Sequence, residues 1–185
     1  MITTDYYNKF CKLNLFNGEI IKKRLMTYEG FSQTPYYDIK QWTWGYGTRV
    51  PFIYNIRRKL GNGIIITYEE AEHELEKYII NAYKYLYKCL QKNMHQLNHV
   101  RREAFIDMIY NIGSGAFFKF KKMRALLEKV PIINWTKVAL ELADSKYYTK
   151  DNMNDRVKAI IHEVHTGKYF KDYEKEFLLT KISLK

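Results

Sequence analysis

From Thr67 onward the chain repeats apolar residues three and four positions apart, a period that gathers them on one face of an α-helix. Caps mark the limits. Thr67 with Glu70 three residues later forms a capping box, and Ala71, Leu75, Ile79, Ala82, Leu86 and Cys89 follow as a stripe, predicting one long helix to Lys92. Asn98 caps a second helix with Arg101, Ala104, Phe105, Met108 and Ile112 on one face and Gly113 at its end. Further helices are expected over 118–129, 134–145, 152–166 and 169–179. Ahead of all these, Glu19 to Tyr28 carries Ile21, Leu25 and Tyr28 on one side and stops at Gly30, a residue suited to a left-handed cap.

Between Gly30 and Gly63 the pattern changes. Two of the three prolines fall there, and Tyr36, Tyr37, Trp42, Trp44 and Tyr46 are strand formers. The stretch Asp38 to Gln41 makes a hairpin of them, and Ile64 to Ile66 is expected to supply a third strand. The fold class is therefore α+β, predominantly α, in one domain of two lobes. Residues 1–18 form an N-terminal arm, 19–66 a small β-containing lobe, 67–92 an interlobe helix and 93–185 a helical lobe. The arm and the segment Arg49 to Asn62, with its Arg57-Arg58-Lys59 cluster, are expected to be solvated additions, a docking surface being the alternative.

A chain of 185 residues and 22.3 kDa can bury a full core without staples. Hydrophobic residues at 46% and charged residues at 28% exclude a disordered or fibrous chain. No apolar run is long enough to span a bilayer, and Met1 to Phe16 alternates polar and aromatic residues instead of forming an export signal. Cys11 and Cys89 fit no metal or redox spacing, so two reduced thiols are expected. Thirty-one Lys and Arg against twenty Asp and Glu give +11, which favours an anionic partner: nucleic acid, anionic lipid or a bacterial wall.

Folding the hairpin over the end of the first cap-defined helix brings Glu29 and Asp38 to opposite walls of a cleft. Two carboxyl groups in unlike settings are what glycoside hydrolysis needs, one keeping a proton for the leaving oxygen and one staying ionised. Glu29 closes a helix whose C-terminus carries partial negative charge, so it is the expected general acid. Asp38 is the ionised partner, and Thr43 holds a water against the far face of the sugar. With Thr43 facing the cleft, Gly45 shares its side and leaves room for a sugar. His162 and His165 lie three apart with no third ligand, so no metal is expected, and no cofactor. Lys119, Lys121, Lys122 and Arg124 spread around more than one helix face and read as a solvated surface, not a nucleic-acid stripe. Trp42, Trp44, Trp135, Tyr36 and Tyr37 could stack on sugars, with alternate strand aromatics expected inside.

The stretch Tyr28-Glu29-Gly30-Phe31, then Tyr37-Asp38, then Thr43-Trp44-Gly45-Tyr46-Gly47 resembles the active-site region of phage-type lysozymes, glycoside hydrolase family 24. Ile66-Thr67 with Glu70-Ala71-Glu72 looks like that family's entry into its interlobe helix. Arg102, Ala104, Phe105, Met108, Tyr110-Asn111-Ile112-Gly113 and Phe117 look like its central helix and the turn after it. Leu142-Ala143-Asp144-Ser145, Arg156 and Thr166-Gly167 look like its closing segment, and together these motifs keep the family's order. The resemblance implies an endolysin hydrolysing the β-1,4 bond between N-acetylmuramic acid and N-acetylglucosamine in peptidoglycan. It implies Glu29 as proton donor, Asp38 as second carboxylate, Thr43 as water-positioning residue and Arg156 as a cation near the acid. Gly45, Tyr46, Gly47 and Asn111 become supporting or substrate-binding positions. A monomer acting on glycan strands follows, held in the host cytoplasm until a holin opens the way to the wall; carriage in a virion is the other route. Two departures stand out: the family usually has one more residue between its Asp and Thr, and Thr48 occupies the place where a histidine commonly follows Gly-Tyr-Gly. Two rivals stay open, a lytic transglycosylase using Glu29 alone and a noncatalytic basic wall- or nucleic-acid-binding virion module.

Overall fold

A computed structural model describes residues 3–38, 41–50, 63, 65–145 and 155–170. The chain opens with α1 (Thr4–Leu13) and α2 (Gly18–Glu29), followed by β1 (Ser32–Asp38), β2 (Gln41–Gly45) and β3 (Thr48–Arg49). Next come α3 (Tyr68–Leu90), a 3-10 turn (Gln91–Gln96), α4 (His99–Ile112), α5 (Ser114–Phe118), α6 (Lys121–Glu128), α7 (Trp135–Ala143) and α8 (Asp155–Thr166). A three-stranded antiparallel sheet in an otherwise helical chain is the α+β architecture expected.

The caps act where the sequence places them. The Thr67 side chain accepts from the Glu70 N–H, while the Glu70 carboxylate accepts from the Thr67 N–H at 2.8 Å. Asn98 caps α4, and Gly113 closes it with φ of 78°. Of the expected residues 118–129, Lys121–Glu128 form α6, with Phe120 at its N-cap, while Phe118 ends α5. The expected helix over 169–179 lies outside the described residues except at Tyr169 and Phe170, neither of them helical.

Two expectations are corrected. The N-terminal arm is no solvated addition: Thr3 caps α1, and Tyr7 and Cys11, one turn apart on the same face, are 0% and 3% exposed. The Tyr7 hydroxyl donates to the Gly18 carbonyl at 2.7 Å, and Phe10 and Phe16 pack against Tyr83 of α3. Cys11 is a free thiol that burial pushes up to about 12. The third strand is Thr48–Arg49 and not Ile64 to Ile66, since the Tyr46-Gly47 turn sends the chain straight back along β2. Ile65 and Ile66 are not in a strand, although the Ile66 N–H donates to the Gln33 carbonyl at 2.9 Å; Ile64 and most of Arg49 to Asn62 lie outside the described residues.

α4 is the central helix, buried from Arg102 to Ile109, with α3 and α8 packed on it. Three charged residues, Arg102, Glu103 and Asp107, are buried within that apolar run. Burying them uncompensated would cost several kcal/mol each, so each must have partners. Arg102 donates to the carbonyls of Asn14, Leu15 and Met94, and Glu103 accepts from the Asn17 N–H and the Tyr169 hydroxyl. Among the described residues no helix is long and apolar enough to cross a membrane.

Candidate active site

Glu29 is the last residue of α2, where Gly30 turns the chain out at φ of 66°. Three elements pack around its carboxyl. From α8, Arg156 donates through Nη1 to Glu29 Oε1 at 2.6 Å, its guanidinium 5.1 Å from the Tyr28 ring. From the β2–β3 turn, Gly47 lies so close that a Cβ there would stand 2.9 Å from Glu29 Oε2. Its φ of 78° also suits glycine, so conformation and close approach both select it. From α4, the Tyr110 hydroxyl donates to the Tyr46 carbonyl at 2.5 Å and ties that turn to the central helix. Burial first, then the nearby Glu29 charge, pushes the Tyr110 phenol far above its usual range, so it remains a donor at neutral pH.

Glu29 and Asp38 line one cavity of about 530 Å³. Asp38 ends β1, paired with Gln41 across the hairpin, and is exposed. Tyr36 and Arg49 come from the sheet side of the wall, Tyr78 and Asn81 from α3, and Tyr110 and Asn111 from α4. The wall of the cleft is largely polar and includes both carboxyls.

Asp38, Gly47 and Asn111 thus stand at the cleft with Glu29, and Arg156 stands behind it. Three other expected residues are placed differently. Thr43 is 1% exposed and absent from the cavity wall; its hydroxyl donates to the Tyr36 carbonyl at 3.4 Å, which steadies the hairpin instead of presenting a water. Gly45 leaves room for Ala71 of α3 and not for a sugar, because a Cβ there would come 2.9 Å from the Ala71 Cβ. The Tyr46 ring is buried against Phe31, and its contribution to the site is the carbonyl that receives Tyr110. Of the strand aromatics, Trp44 and Tyr46 lie inside and Tyr36 and Tyr37 outside, with Tyr36 on the cavity wall.

Asp107 escapes a reading of the sequence by caps and stripes. It accepts from Arg156 Nε at 2.8 Å and is 1% exposed. Its signal was an acid inside the apolar run Ile106-Asp107-Met108-Ile109, which needs a buried cation or other donors to offset its burial. Lys119, Lys121 and Lys122 are exposed, while Arg124 pairs with Glu128 and covers the Phe118 ring at 4.0 Å. Among the described residues no group of three or more His, Cys, Asp and Glu is placed to hold a metal.

A cleft walled by a small sheet and helices, with a carboxyl at the end of the helix entering the sheet, defines a lysozyme-type glycosidase. Residues 26–160 match the phage lysozyme family, and the chain belongs to that family of peptidoglycan-degrading hydrolases. No curated protein matches the chain.

Proposed function

We propose that the protein is a muramidase endolysin that hydrolyses the β-1,4 bond between N-acetylmuramic acid and N-acetylglucosamine, with Glu29 as the general acid. Glu29 gives its proton to the bridging oxygen as the glycosidic bond breaks, and Asp38 stabilises the positive charge that develops on the sugar. The observation that carries this reading is the shared cavity: one carboxyl closes α2, the other ends β1, and both line the same space. Water attacks the face opposite the leaving group and gives its proton to the Asp38 carboxylate, so the anomeric centre inverts. With Thr43 buried, that water is held by Asp38 and the cavity's other polar groups. Thr43, Gly45 and Tyr46 support the hairpin, while Gly47 and Arg156 hold Glu29 and Asn111 contacts the glycan. The two lobes, 19–66 and 93–185, close on the strand from either side of the interlobe helix.

Glycan strands of peptidoglycan are the partner; the protein acts as a monomer, is held in the host cytoplasm and reaches the wall through a holin lesion. The +11 charge then raises its local concentration at an anionic envelope. Digestion of purified peptidoglycan followed by mass spectrometry and proton NMR of the fresh ends tests the reaction. Reducing muramic acid ends that first appear as the α-anomer are expected. A 1,6-anhydro end would instead show transglycosylation by Glu29 alone, and release of peptides without new sugar ends would overturn glycosidase action.

A further inference from the structure

Behind the cavity two carboxylates share one guanidinium. Arg156 bonds Glu29 through Nη1 at 2.6 Å and Asp107 through Nε at 2.8 Å. The other Asp107 oxygen lies 3.7 Å from Arg24 Nη1, but Arg24 is engaged by Glu163 at 2.8 and 2.6 Å. Arg24 and Glu163 therefore neutralise each other, and the counter-charge of Asp107 is Arg156. One cation between two carboxylates leaves a negative charge in excess, which uptake of a proton by either acid removes. Asp107 is sealed in at 1% exposure, whereas the Glu29 side chain is 22% exposed and faces the cavity. Of the two acids, Glu29 is therefore the one that can reach a ligand.

We propose that Asp107 is a positioning residue for the reaction, one that draws Arg156 onto itself and so leaves Glu29 able to carry the proton it donates. This rests on the reading of Glu29 as general acid. Without the Asp107 charge, Arg156 would form an undivided ion pair with Glu29 and keep it ionised. The other charged and phenolic groups lining the cavity with Glu29 are Asp38 and Arg49 from the sheet, Tyr36, Tyr78 and Tyr110, and those near Asp107 are Arg24, Glu163 and, one helical turn earlier, Glu103. A substitution at 107 leaves all of these in the sequence.

Asp107→Asn keeps an oxygen for Arg156 Nε and removes the charge. The alkaline limb of the kcat/KM profile on peptidoglycan is expected to move down by about one pH unit, with roughly tenfold loss above it and KM nearly unchanged. Glu76→Gln is the matched control: Glu76 is also 1% exposed and ion-paired, to Lys22 at 3.2 Å, and its loss should lower Tm without moving the limb. An unmoved limb in Asp107→Asn, or an equal movement in Glu76→Gln, overturns the proposal. Should Asp107→Asn fail to fold, the pair can be removed together, which buried ion pairs tolerate better. Arg156→Gln should raise the limb, and Asp107→Asn/Arg156→Gln should match Arg156→Gln, since Asp107 acts through Arg156. A double variant displaced from Arg156→Gln by about a full unit overturns the proposal. Glu29→Gln separates the two readings: lysis surviving that change removes the acid itself, whereas lost lysis with an unmoved limb removes only the role of Asp107.

Discussion

A methyl group at position 47 would meet the Glu29 carboxylate at 2.9 Å on a backbone with φ of 78°. Gly47→Ala is expected to lower Tm modestly, the left-handed conformation costing about 1–2 kcal/mol. It should lower kcat more, by about tenfold or greater, because a displaced acid loses its geometry toward the sugar. A Tm loss with kcat intact would contradict this. Thr43→Val should keep lysis within about threefold of wild type, since only a 3.4 Å bond to the Tyr36 carbonyl is lost. A loss as deep as that of Asp38→Asn would return the hydroxyl to the reaction path. Local patterns were enough to bring Glu29 and Asp38 forward as candidates, because a helix end and a hairpin are written in contiguous residues, whereas Arg156 is legible only through the family resemblance. They could not single out Asp107, whose partner lies 49 residues away. They also misjudged Gly45, for strand alternation says which side a residue faces but not that Ala71 occupies that side.

Among the elements, α1 shows how an amphipathic helix hides in an aromatic-rich stretch. Its Tyr7 and Cys11 lie one turn apart behind a Thr3 cap, a signal masked by the exposed Tyr6 beside them. The helix fills the core near Phe16 and Tyr83, so Tyr7→Ala should cost about 3–5 kcal/mol in chemical unfolding. A change below about 1 kcal/mol would mean that α1 is dispensable to the core. The long helices were legible because a capping box and a 3.6-residue period survive any tertiary context. The third strand was not, because two residues of pairing at Thr48–Arg49 leave no period to read, and the turn chemistry of Gly45 and Gly47 decides where the chain goes.

At the scale of the molecule, α2, α4 and α8 are joined by buried charge. Burial pushes Glu103 up to about 7, against an ordinary 4.5, although the Asn17 N–H and the Tyr169 hydroxyl bonded to it pull the other way. The folded protein therefore holds a proton there that the unfolded chain releases above 4.5. Its stabilising contribution is complete below that value and is lost as pH rises through about 7. Tm should fall between about pH 5 and pH 8, and Glu103→Gln should flatten the fall. An unchanged slope in that variant would place the pH dependence elsewhere.

The role of Glu29 is tested most directly by the rate at which Glu29→Gln clears purified peptidoglycan, compared with wild type at equal Tm. A carboxamide can still accept from Arg156 but cannot donate a proton to a leaving sugar, so clearing should fall by about 10² to 10⁴-fold. Clearing within a few-fold of wild type would contradict the assignment of Glu29 as the acid.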